Sequence, residues 1–187
     1  MPFESRLASL PPGPFARLAE LLDGIDPGKE PINLSVGDPM GAVPDFVSRI
    51  IAAETASFGR YPPIAGTPDW RQAAQASLVS RFALPASAVD AEKNILPLSG
   101  TREGLFLAAI AVTPQAKAGA RPIIAMPNPF YQCYAAAALA ARTAPVYVPA
   151  ARANRFLPDY AALPPSVLER VAAVYLCSPS NPEGAAA

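Results

Sequence analysis

The chain has 187 residues, 15 Lys+Arg against 15 Asp+Glu and no histidine, a length that suits one or two domains at roughly 100–200 residues each. Hydrophobic residues make up 51% and mean hydropathy is +0.22, ample for a sizeable core and too apolar for a globally disordered chain. Zero net charge lacks the basic excess of a nucleic-acid binder, and without histidine the two cysteines make neither a metal site nor a histidine-activated nucleophile.

Residues 14–25 carry Phe15, Leu18, Leu21 and Leu22 at the spacing of one helical face, with Gly24 near the stop. A strand-like run at 32–35 leads into the turn-rich Gly37-Asp38-Pro39-Met40-Gly41, and 46–56 read as a helix. After the turn Tyr61-Pro62-Pro63-Ile64-Ala65-Gly66, Thr67 is a good N-cap and Pro68 suits the first helical position, for a helix to about residue 82. From residue 94 the elements alternate. A strand at 94–98, the turn Ser99-Gly100-Thr101 and a helix at 102–112 come first. A strand at 122–126, a helix at 130–141 and a strand at 145–148 follow. A loop and helix then run to about residue 170, before an apolar strand at 171–177 of the kind buried on both faces. This grammar predicts an α/β fold, a parallel sheet covered by helices, with a leading segment separated near residues 45–60.

The longest apolar runs, 104–112 and 135–141, fall short of the roughly 20 residues that span a bilayer. The opening residues lack the basic start and apolar stretch of a secretory signal. Two cysteines suit a reducing compartment with both thiols free, so a cytoplasmic protein without membrane contact is expected. Twenty-four prolines, spread along the chain, mark many turns between short elements.

Ligands in such folds sit at the carboxyl ends of strands, and three loops there carry chemistry. Ser99-Gly100-Thr101-Arg102 places a glycine and hydroxyls at a helix start, where free N–H groups make a phosphate cradle; a hydroxyl that simply caps the helix explains the same residues. Pro127-Asn128-Pro129-Phe130-Tyr131 offers aromatics on which a planar ring can stack, or which merely pack a helix start. In Ser178-Pro179-Ser180-Asn181-Pro182-Glu183-Gly184 the prolines hold the Asn181 amide in one orientation, or only build a turn.

Taken together with Asn33-Leu34-Ser35-Val36-Gly37-Asp38-Pro39 and Arg60-Tyr61-Pro62-Pro63-Ile64-Ala65-Gly66-Thr67, these loops resemble the pyridoxal-phosphate-dependent aminotransferases of fold type I, class I/II. The third loop is similar to that family's S-P-x-N-P-T-G signature, with Glu183 where threonine is usual. The Pro14-Phe15-Ala16-Arg17-Leu18 segment and the loop at 126–134 look most like the succinyldiaminopimelate aminotransferase branch. The resemblance implies a three-layer α/β/α large domain with a mostly parallel sheet, incomplete at its C-terminal side. Residues 1–45 would be the N-terminal arm and part of the small domain, and 46–187 the first half of the cofactor-binding large domain. It implies that Ser99, Gly100 and Thr101, with the amide of Arg102, bind the cofactor phosphate. By the same resemblance Tyr131 would stack on the pyridine ring, and Asn181 would donate to the phenolic oxygen. Tyr61 would reach the phosphate of a neighbouring subunit in a homodimer, and Gly37 would lie near the substrate carboxylate. The substrates implied are an amino acid and a 2-oxo acid.

In that family the cofactor is held as a Schiff base by a lysine that also moves the proton. Lys29, Lys93 and Lys117, the lysines of this chain, lack the serine-flanked context of that residue, which follows the Ser-Pro-x-Asn-Pro segment. The expectation is therefore the first half of an aminotransferase, with no catalytic residue of its own and no activity as it stands. A non-catalytic relic of the fold, or a lyase or decarboxylase on the same fold, are the alternatives.

Overall fold

The computed structural model describes residues 13–32, 37 and 41–187. Backbone contacts divide the chain into two units, residues 26–98 and the remainder. The expected strand at 32–35 and most of the turn after it lie outside the described residues. The first helix, α1 (Pro14–Leu22), begins at its proline, where the missing N–H is no loss.

The 26–98 unit is built on helices α2 (Asp45–Ala53) and α3 (Pro68–Phe82). The helix expected to reach residue 56 ends at Ala53 and tightens into a 3-10 turn over Thr55–Gly59. The cause is local: the Thr55 hydroxyl donates to the carbonyls of Ala52 (2.9 Å) and Ile51 (3.2 Å), competing for the helix's last acceptors. α3 starts as its sequence demands, with the Thr67 side chain accepting from the Trp70 N–H at 3.2 Å and Pro68 next to it. The strand expected at 94–98 does not form. Asn94 is turned into a local network instead, its Oδ1 accepting from the Asp90 N–H at 2.8 Å and its own N–H donating to the Asp90 carbonyl at 2.8 Å. Pro97 brings no N–H to a ladder, and Leu96 and Leu98 stand exposed. An apolar run becomes a strand only with a partner, and none of the described residues supplies one.

The other unit holds α4 (Thr101–Val112), β1 (Ile123–Asn128), α5 (Cys133–Ala140), β2 (Ala144–Pro149), α6 (Pro165–Leu168) and β3 (Val171–Val174). The sheet is parallel, in the order β2-β1-β3, so the α/β class with a parallel sheet is as the sequence predicted. β1 is central, and residues 123–127 are buried throughout, which fits the continuous apolar character of a two-sided strand. Ile124, Met126, Tyr134, Ala137 and Ala138 form the core, with α4 packed on α5. The alanines of α5 let the helix lie close on the sheet. Its end is closed by Thr143, fully buried, whose hydroxyl donates to the Ala138 carbonyl at 2.8 Å.

β3 corrects the sequence expectation in two ways. It is shorter than 171–177, and it is not buried on both faces. It lies at the sheet edge, where Val174 is 47% and Leu176 60% exposed. One further ladder bond, from the Tyr175 N–H to the Ala125 carbonyl at 2.9 Å, carries the chain toward the third loop. α5 likewise begins at Cys133 rather than 130, because the Tyr131 carbonyl first closes a turn with the Tyr134 N–H at 2.9 Å.

Candidate functional site

The parallel sheet aims its carboxyl ends one way, so the loop after β1 and the loop after β3 emerge on the same side. Three contacts bind these loops to each other and to the start of α4. The Tyr134 ring stacks on Tyr175 at 4.0 Å and 8°, joining the second loop's helix to the third loop's strand. The Tyr175 hydroxyl donates to the Leu105 carbonyl at 2.7 Å, and the Cys133 thiol to the Arg102 carbonyl at 3.3 Å. Both pin the first turns of α4 against the other elements. Burial pushes the Cys133 thiol up from its ordinary value and Tyr175 up to about 12. Both are therefore neutral donors here, structural rather than reactive.

The phosphate end of the resemblance is testable on geometry. α4 opens at Thr101 with Gly100 as its N-cap and no side-chain cap. Among the described residues none accepts from the N–H groups of Thr101 or Arg102, the orphan donors every helix start leaves. Gly100 is extended (φ 178°), so its backbone would suit any residue. What it supplies is room: a Cβ there would sit 2.5 Å from Glu103 Oε2. Free amides and the helix dipole fit a phosphate, with the space beside Gly100 taken by the Glu103 carboxylate. The obstacle is the end of one flexible carboxylate rather than backbone.

At the ring end, Arg102 Cζ lies 5.9 Å over the Tyr131 ring, tying the first loop to the second. Tyr131 and Asn181 line one cavity with Tyr134, Cys177 and Glu183. Its volume, about 20 Å³, holds about one water. A pyridine ring enters only if the wall at 177–187 moves. That wall is fastened mainly to itself, through Ser180 N–H to the Ala185 carbonyl (2.7 Å), Gly184 N–H to the Ser180 carbonyl (2.8 Å) and Ala185 N–H to Ser180 Oγ (3.0 Å). The structure thus links Arg102, which follows Ser99, Gly100 and Thr101 in the chain, to Tyr131, and puts Tyr131 and Asn181 on one cavity. It also puts Glu183, which the signature comparison treats as a mere departure, on the same wall as Asn181. Its place three positions from Ser180 in the loop was the available clue.

Tyr61 and Gly37 belong to the 26–98 unit. Tyr61 stands wholly in solvent, at 101% exposure, and Gly37 is exposed. The lysines are elsewhere. Lys117 donates its ammonium to the carbonyl of Val171, at the amino end of β3 and so away from the loops that follow the strands. Lys93 pairs with Asp90 at 3.2 Å, and Lys29 is exposed. A larger hollow of about 1000 Å³, lined by Arg17, Arg102, Phe106, Phe130 and Tyr147 among others, shares Arg102 with the site but neither Tyr131 nor Asn181. No helix among the described residues is long and apolar enough to cross a membrane.

The sequence profile of the family described as aminotransferase class I and II matches residues 29–187. An LL-diaminopimelate aminotransferase from Desulforudis audaxviator is 32% identical over 185 residues, covering 97% of this chain and 45% of that protein. One from Dehalococcoides mccartyi is 30% identical over 190 residues, covering 100% of this chain and 47% of that one. Among solved structures, an aminotransferase from Neisseria meningitidis superposes with a TM-score of 0.87 at 35% identity, over 98% of this chain and 46% of that one. Aminotransferase AspB from Helicobacter pylori gives 0.83 at 32%, over 100% and 46%. The chain spans a little under half the length of the curated relatives it matches.

Proposed function

We infer a function from a plain premise: this chain belongs to the class I and II aminotransferase family. Within it we read the chain as part of a pyridoxal-phosphate-dependent enzyme that moves an amino group between an amino acid and a 2-oxo acid. The observation that carries this reading is the meeting of three loops. The uncapped start of α4 reaches the second loop through Arg102 over the Tyr131 ring, and Tyr131 shares a cavity with Asn181 of the third loop. Pyridoxal phosphate bound there supplies an electron sink for bonds broken at the substrate's α-carbon. The chain's own part is to hold and orient it. Ser99, Gly100 and Thr101, with the Arg102 amide, take the phosphate. Tyr131 lies against the ring, Asn181 donates to the phenolic oxygen, and the 177–187 wall closes out water.

Two copies complete each other's sites in this reading, Tyr61 of one reaching the phosphate held by the other, with Gly37 beside the substrate carboxylate. Residues 1–45 then form the arm and part of the small domain, and 46–187 the first half of the large domain. The two free thiols support a cytoplasmic setting. For the substrate, the curated relatives' names favour a diaminopimelate-type amino acid; the succinylated branch suggested by the sequence draws no support from them.

The test is calorimetric titration with pyridoxine 5′-phosphate and with pyridoxine, which lack the reactive aldehyde. Tighter binding of the phosphorylated compound, by about tenfold or more for charge-assisted hydrogen bonds to a helix start, is expected. Equal affinities would overturn the reading.

A further inference from the structure

Arg71 is the one charged residue among the described residues to be buried, at 7% exposure. It lies on α3 one turn after the Thr67 cap, and its guanidinium turns back toward the loop that precedes the helix. One terminal nitrogen donates to the carbonyls of Ala65 (3.0 Å) and Gly66 (2.7 Å); the other donates to both carboxylate oxygens of Glu92, at 2.8 Å each. The Arg71 side chain is 9% exposed and that of Glu92 65%, so the cation has been drawn inward while its partner stays wet. Its Nε is buried without an acceptor among the described residues. A guanidinium taken from water with one N–H unmatched costs stability. An ordinary surface pair avoids that cost, so these contacts serve the loop.

The loop is rigid behind and bare in front. Gly66 adopts φ +75°, donates to the Pro63 carbonyl at 2.9 Å, and sits so near Trp70 and Pro97 that a Cβ would meet them at 3.1 and 3.3 Å. Tyr61 and Ile64, on the same loop, are wholly exposed, and Phe58 just before it is largely so. A tyrosine held out on a clamped loop loses little freedom when it meets a partner.

We propose that Arg71, oriented by Glu92, is a positioning residue: it clamps the carbonyl end of the 61–66 loop so that Tyr61 is held ready for a phosphate on a second copy of the chain. This rests on the role read for Tyr61 above. Lysine is a poor replacement here, because its three donors sit on one atom, whereas the guanidinium spreads two nitrogens between the carbonyls and the Glu92 carboxylate.

The test is the ratio of the dissociation constants of pyridoxine and pyridoxine 5′-phosphate, which isolates the phosphate contact, measured on the full chain. Tyr61→Phe is expected to lower that ratio by about tenfold. Arg71→Lys lowers it similarly, and the double variant falls no further. Arg71→Lys that weakens both compounds equally, leaving the ratio unchanged, shows a merely structural arginine and overturns the proposal while the Tyr61 reading stands. An unchanged ratio in Tyr61→Phe overturns that reading and the proposal with it. Circular dichroism and the emission of Trp70 report folding; should Arg71→Lys unfold, Glu92→Gln, which keeps shape but removes charge, gives the same decision, with a smaller loss expected and an unchanged ratio contradicting the clamp.

Discussion

At Gly100 the requirement is space, and at Gly66 it is conformation, and the two glycines make opposite predictions. Gly100→Ala faces no backbone strain and meets only the end of Glu103, so urea unfolding should show a loss below about 1 kcal/mol. Its affinity for a phosphorylated ligand should nevertheless fall, because the methyl stands in the cradle. Gly66→Ala forces a side chain into the left-handed region against Trp70 and Pro97 and should cost about 1–2 kcal/mol or more in the same assay. Tyr131→Ala should weaken pyridoxine 5′-phosphate about fivefold, the stacking contribution of one aromatic face being about 1 kcal/mol. Asn181→Ala should also weaken it a few-fold, yet leave the 3-deoxy analogue untouched, since in the proposed reading the phenolic oxygen alone receives its amide. Equal losses for both compounds would remove Asn181 from that role. Gly100, Tyr131 and Asn181 were legible in the chain as loop residues that follow apolar runs, although the run before Gly100 forms no strand. Arg71 was not. Its chemistry is a clamp that reaches a residue 21 positions away, and no local pattern announces it.

Among the elements, helix starts were the most legible, since caps are local chemistry. Thr67 and Pro68 specify the start of α3 whatever surrounds them. Strands are relational, and the sequence over-read them. The runs at 94–98 and 171–177 were both read as strands, but only the second, free of Asn and Pro, finds a neighbour, and it finds one on a single side. The joints between elements carry their own prediction. Tyr160 donates its hydroxyl to the Tyr175 carbonyl, and Tyr175 to that of Leu105, each at 2.7 Å; burial raises both phenols to about 12 from 10. Since the folded state holds these protons more tightly, stability from this source is complete below pH 10. It is lost as pH rises from 10 through 12. Unfolding midpoints should be insensitive to these groups below pH 10 and fall above it, with the fall reduced in Tyr175→Phe. The thiols divide similarly. Cys133, buried and with its thiol pushed up, should react with an aromatic disulfide reagent far more slowly than half-buried Cys177.

For the whole molecule, exposed apolar surface sets behaviour. Val174 and Leu176 at the sheet edge, and Phe58, Tyr61 and Ile64 on the second unit, are what interfaces cover, and an uncovered sheet edge invites pairing. Sedimentation should show these 187 residues associating as concentration rises. They should not transfer an amino group, because Lys117 is engaged at the amino end of β3 and the loops lie at the carboxyl ends; conversion of pyridoxal phosphate to its amine by an amino donor would show otherwise. The family membership and the parallel sheet were within reach of the sequence, whereas the packing of one loop wall against another was not, since it depends on the shared cavity of Tyr131, Asn181 and Glu183. The central claim is that the start of α4 and the loops after β1 and β3 form a seat for a phosphorylated pyridine. A crystal structure of the chain with pyridoxine 5′-phosphate tests it most directly. The account predicts the phosphate within hydrogen-bonding distance of the Thr101 and Arg102 amides and the ring against Tyr131, with the 177–187 wall displaced. A phosphate bound away from the start of α4 would contradict it.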